Sequence, residues 1–91
     1  MSIRRRKLNR MTLGERAEAI NKAVGARIRN ARLKMPDVMS QRALGDKVGR
    51  NAAQISRIET GETAADPPVL LAIAEALGMK PGDFINGIQV G

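Results

Sequence analysis

Two helix-length segments lie end to end between Ser40 and Gly61, each with its own start and stop signals and barely one turn apart. Ser40 is suited to cap the first, residues 41–48, because a side-chain oxygen there accepts from a backbone N–H that the first turn leaves free. Gly49 ends it, since glycine adopts the left-handed conformation that closes a helix without steric cost. Asn51 then caps a second helix running from Ala52 to about Glu59, and Gly61 closes that one. Leu44 and Val48 in the first helix and Ile55 and Ile58 in the second form one apolar seam. Helices so close in sequence share a seam by crossing at a tight turn, and Gly45 lets them approach.

The flanking segments are helical too. Thr12 and Glu15 have capping-box spacing, and behind them Leu13, Ala17, Ile20, Val24, Ile28 and Ala31 recur at steps of three and four. This stripe runs to about Met35, where Pro36 stops it; Gly25 sits mid-stripe and leaves open whether the helix continues, bends or breaks in two. Arg16, Lys22, Arg27, Arg29 and Arg32 occupy the opposite face. Asp66 followed by Pro67 starts a further helix through Leu70, Leu71, Ile73, Ala74 and Leu77, ended by Gly78. Pro81 opens a last short helix containing Phe84 and Ile85, with Ile88 and Val90 beyond it. Phe84 is the only aromatic residue, so aliphatic side chains and methionine fill the interior, which also favours helices over sheets. The expected fold is all-α with five helices. Residues 12–88 form a single domain, residues 1–11 a basic arm and residues 89–91 a tail.

Charge narrows the function. The net charge is +7 over 91 residues, with a pI near 11.1, and a field of that sign attracts polyanions: DNA, RNA or an anionic membrane. Arg4, Arg5, Arg6, Lys7 and Arg10 crowd the first ten residues, whereas the stretch from Glu59 to Asp83 is acidic apart from Lys80. Cysteine and histidine are both absent. That removes thiolate chemistry, disulfides, nearly every transition-metal site and the side chain best suited to proton transfer near neutrality. Glu15, Glu18, Asp37, Asp46, Glu59, Glu62, Asp66, Glu75 and Asp83 make no evident pair with a nucleophile or metal motif, so neither catalysis nor a cofactor is expected. No apolar run has membrane-spanning length and no signal-like stretch follows the basic start, which implies a cytoplasmic protein associated with the nucleoid.

Several of these residues stand together in a known pattern: Ser40-Gln41 opening one helix, Gly49 at the turn, Ile55-Ser56-Arg57-Ile58-Glu59 in the next, and Leu77-Gly78 ending the fourth. In them the chain resembles the helix-turn-helix family of phage repressors and Cro-like, XRE-type regulators, from about Val24 to Ile85 and most densely over residues 41–61. The resemblance implies a five-helix, lambda-repressor-like DNA-binding domain whose third helix lies in a major groove. Three departures stand out: a slightly longer loop from Pro36 to Met39, Arg50 in place of an apolar turn residue, and Gly45 in place of alanine.

With residues of the third helix placed at 100° intervals, Ile55 and Ile58 share one side. Ala52, Ala53, Ser56 and Arg57 face away, and Gln54 lies on the flank. An arginine donates two hydrogen bonds to guanine O6 and N7, so Arg57 is the foremost candidate for base reading, against the alternatives of a solvated side chain or a phosphate contact. Ala52 or Ala53 suits a thymine methyl, and Ser56 is a less discriminating donor or acceptor. Gln41, where the helix dipole favours an anion, is placed on phosphate, as the resemblance also implies. Asn51 serves as N-cap with room for an added DNA contact, and Arg50 and Thr60 are candidate phosphate contacts. The resemblance further implies a structural pair between Arg32 and Glu59. The arm, with Arg4, Arg5 and Arg6, is expected to follow a groove or the backbone; the plainer reading is a solubilising tail.

One short helix reads only a few base pairs, so a homodimer on an inverted-repeat operator is expected, joined through Phe84, Ile85 and Ile88. The same residues otherwise cap the monomer core. The leading function is a sequence-specific transcriptional regulator, a repressor. Two other classes compete: an antitoxin-type autoregulator that also binds a toxin or other protein, and a nonspecific binder of nucleic acid or anionic membrane driven by the basic arm.

Overall fold

In the computed structural model, which describes residues 11–88, every helix start read from the sequence is in use. Thr12 Oγ1 accepts from the Glu15 N–H at 3.1 Å, and Glu15 Oε1 accepts from the Thr12 N–H at 3.2 Å, closing the capping box that opens α1, Leu13–Leu33. Ser40 caps α2, Gln41–Val48, and Asn51 caps α3, Ala52–Thr60. Asp66 caps α4, Pro67–Leu77, whose two leading prolines sit where a missing N–H leaves no helical bond unmade. The described residues contain helices and no strand.

One point left open by the sequence is settled and one expectation is corrected. First, α1 is unbroken through Gly25, and the glycine is there for a different reason. A Cβ at position 25 would stand 2.2 Å from the Ile58 carbonyl oxygen and 2.6 Å from that of Glu59. The last turn of α3 therefore rests directly on the α1 backbone. Second, the fifth helix is a single 3-10 turn, Pro81–Phe84, with Ile85 just beyond it. Among the described residues, four α-helices and one 3-10 turn replace the five helices expected.

The core joins Val24 and Ile28 of α1, Leu44 of α2, Ile55 and Ile58 of α3, and Val69, Ile73, Ala74 and Leu77 of α4. Phe84 closes it and is completely buried. As the chain's largest apolar side chain it gains most from the interior, which withdraws it from the set of surface residues expected at a dimer interface. Ile88 packs partly against the same core, and Ile85 remains about half exposed. The apolar stripe of α1 is also shorter in use than in sequence: Leu13 is 84% exposed, Ala17 is exposed, and core packing begins at Ile20. On the other side of α1, Arg27 is half-buried and engaged rather than fully solvated. Its Nη1 donates to the carbonyls of Asn86 and Asp83, holding the turn that carries Ile85 against α1.

Candidate nucleic-acid interface

The position of α3 is set from below by a buried ion pair. Arg32 Nε donates to Glu59 Oε2 at 2.7 Å and Arg32 Nη2 to Glu59 Oε1 at 2.9 Å, a two-pronged contact between α1 and the end of α3. Arg32 Nη1 also donates to the Met39 carbonyl at 2.9 Å, and Gln41 Nε2 donates to Glu59 Oε1 at 3.1 Å. Four groups from α1, the 34–40 loop, α2 and α3 are thus tied at one point. The hydrogen bond to Glu59 raises the Arg32 pKa above its already high value, outweighing the opposite effect of burial, so the guanidinium keeps its charge in the interior. Arg32, which the wheel of α1 placed among outward cations, is a buried structural residue.

The turn between α2 and α3 is tight. A Cβ on Gly45 would lie 2.4 Å from the Arg50 carbonyl oxygen, and the Arg50 N–H donates to the Gly45 carbonyl at 2.8 Å. Gly49 takes φ 73°. Ile55, Ile58 and Glu59 are buried beneath α3, while Ala53, Gln54, Arg57 and Thr60 are exposed and Ala52 and Ser56 half-buried. The outward side of α3 is therefore low and small at its N-terminal turn, with Arg57 standing above it. Such a face is able to lie close against a flat or grooved surface. Arg50 and Arg57, with Gln54 and Thr63, line a recess between α3 and the loop leading to Asp66.

The structure brings Arg50, Gln54 and Arg57 to one side of α3 and keeps Gln41 at the start of α2, partly engaged with Glu59. Asn51 is the N-cap, its Oδ1 accepting from the Gln54 N–H at 2.8 Å. The Thr60 hydroxyl donates back to the Arg57 carbonyl at 3.1 Å. Arg4, Arg5 and Arg6 lie outside the described residues. One cation was missed by sequence reasoning: Arg42, exposed in the first turn of α2 beside Gln41. Its adjacency to a helix start was the signal that would have found it. Among the described residues no group of three or more His, Cys, Asp or Glu could hold a metal ion, and no helix is long and apolar enough to cross a membrane.

The profile of the helix-turn-helix domain family matches residues 23–84. Among solved structures, the chain is similar to the P22 c2 repressor protein, in its crystal structure in complex with synthetic operator 9T in the presence of Tl+. The two are 37% identical with a TM-score of 0.64, over 71% of this chain and 96% of that one. No curated protein sequence matches.

Proposed function

The chain belongs to the helix-turn-helix domain family, and on that premise we propose that it is a sequence-specific DNA-binding transcriptional regulator, a repressor, that binds an inverted-repeat operator as a homodimer. The observation that carries this reading is the outward face of α3. Small residues Ala52, Ala53 and Ser56 and the exposed Arg57 stand opposite the buried Ile55 and Ile58, on a helix seated by backbone contact with Gly25. The major groove of B-DNA admits a helix, and a face this low brings Arg57 within reach of base edges. The P22 c2 repressor, to which the chain is similar over most of its described length, is bound to a synthetic operator in its structure.

In this arrangement Arg57 reads guanine, Ala53 packs on a thymine methyl, and Gln41, Arg42 and Arg50 hold phosphates on either side of the groove. Thr60 and the Asn51 side chain add contacts to the backbone, and Arg4, Arg5 and Arg6 in the arm of residues 1–11 follow it further. The domain of residues 12–88 acts as one unit. Two such units, joined around Ile85 with Ile88 beneath it, place two copies of α3 about one helical turn of DNA apart. Occupation of a promoter then blocks transcription.

The test is to incubate the full chain with randomised duplex DNA at physiological salt, sequence what is retained, and determine the mass of the complex. The reading expects an enriched inverted repeat carrying two chains, relaxed at one symmetric position by Arg57→Ala. Binding without enrichment that vanishes as salt rises refutes it and leaves a basic, nonspecific binder.

A further inference from the structure

The first turn of α3 is closed by two reciprocal hydrogen bonds. Asn51 Oδ1 accepts from the Gln54 N–H at 2.8 Å, and Gln54 Oε1 accepts from the Asn51 N–H at 2.9 Å. The second bond settles how the Gln54 amide is turned. A backbone N–H needs an acceptor, so the amide oxygen points at Asn51 and the NH2 group points away from it. Among the described residues no hydrogen bond engages that NH2 group. Gln54 is exposed on the flank of α3, in the same recess as Arg50 and Arg57.

A glutamine with both ends free pairs with adenine, accepting from N6 and donating to N7. In Gln54 the oxygen is turned toward the Asn51 N–H, so the end it presents away from the cap is the donor NH2 group. Of the four bases in a major groove, guanine alone offers two neighbouring acceptors, O6 and N7. Adenine offers one beside a donor, thymine one beside a methyl group, and cytosine a donor. Ala52, Ala53 and Ser56 keep the surface beside Gln54 low, and the larger neighbours in its recess, Arg50 and Arg57, are exposed side chains.

We infer that Gln54 is a specificity-determining residue that reads guanine through its amide N–H groups, its oxygen being held by the cap of α3. This rests on the operator-binding reading and adds to it a second base contact one turn from Arg57, together with the base it rejects. It also predicts that the adenine pairing ordinary for glutamine is absent here.

The experiment compares base preferences of the wild-type chain, Gln54→Glu and Gln54→Ala on the enriched operator and its single-base variants. Glutamate keeps an oxygen for the Asn51 N–H, so Gln54→Glu retains the capping box and melts with the wild type. At one symmetric position the preference passes from guanine to cytosine, while the order of preference elsewhere is unchanged. The added negative charge weakens binding to all sequences alike and so does not alter that order. Replacing guanine by 7-deazaguanine at the same position removes one acceptor; it weakens the wild-type complex about tenfold, within the range of a two-bond base contact, and leaves Gln54→Ala unaffected. An operator that is enriched but whose preferences are identical in the wild type and Gln54→Glu overturns the Gln54 assignment alone. So does a wild-type preference for adenine that Gln54→Ala abolishes. Failure of the wild-type chain to enrich any sequence overturns the operator-binding reading and this inference with it.

Discussion

Gly25→Ala sets helix propensity directly against tertiary packing. Within a helix, alanine is favoured over glycine by about 1 kcal/mol, so on local grounds the substitution stabilises α1. In the fold the new Cβ stands 2.2 Å from the Ile58 carbonyl oxygen, where ordinary contact begins near 3.4 Å. Its neighbours are backbone atoms with no rotamer to yield, so α1 and α3 are pushed apart by about 1.2 Å. A gap of about 0.5–1 Å forfeits a quarter to a half of a dispersion contact, and the seam it opens is lined by Val24, Ile28, Ile55 and Ile58. Losing about a quarter of the roughly 2 kcal/mol each contributes by burial removes about 2 kcal/mol, and strain within the range of core overpacking, about 1–3 kcal/mol, adds to it. After the propensity gain, the net loss expected is about 2–4 kcal/mol. For a domain of this size that lowers Tm by about 8–32 °C, measured by circular dichroism on heating. Gly14→Ala on the same helix is the control: its nearest contact would be Thr12 Oγ1 at 3.9 Å, so it is neutral or stabilising by up to about 1 kcal/mol. A Gly25→Ala variant that melts at or above the wild-type temperature would refute the close-approach reasoning.

Arg32→Met or Glu59→Leu alone strands a buried charge and costs about 3–5 kcal/mol, whereas the double substitution costs less than either; urea titration of all four proteins completes the cycle. Ile85→Lys leaves the helical spectrum intact, because Ile85 is about half exposed, and sedimentation equilibrium is expected to find a dimer for the wild type and a monomer for the variant. Substituting alanine for Arg4, Arg5 and Arg6 reduces the slope of log Kd against log salt by about 0.9 for each phosphate contact removed, up to about 2.7 in all, without changing the sequence selected. An unchanged slope would remove the arm from the interface.

The helix framework was legible because its signals are local. Thr12, Ser40, Asn51 and Asp66 act on N–H groups three residues ahead, and the seam of Leu44, Ile55 and Ile58 follows from periodicity within two short windows. The outward face of α3 was legible for the same reason: once Ile55 and Ile58 are inside, a rigid helix leaves Ala53 and Arg57 outside. The all-α class and the family resemblance both rest on such short-range patterns.

What α1 and the C-terminal turn do was decided only by the assembled structure. Gly25 leaves the course of its helix open until α3 is laid across it, and then its missing side chain is what lets two backbones meet. Arg27 and Arg32 share a cationic face by spacing, yet one holds the 83–86 turn and the other is buried against Glu59, because their partners lie 27 or more residues away. Phe84 reads first as interface and only second as interior until α1 and α4 close over its turn. A sequence fixes which torsions and caps are favourable from its near neighbours, but close approach, burial and ion pairing depend on distances between segments far apart in the chain, and those exist only once it has folded.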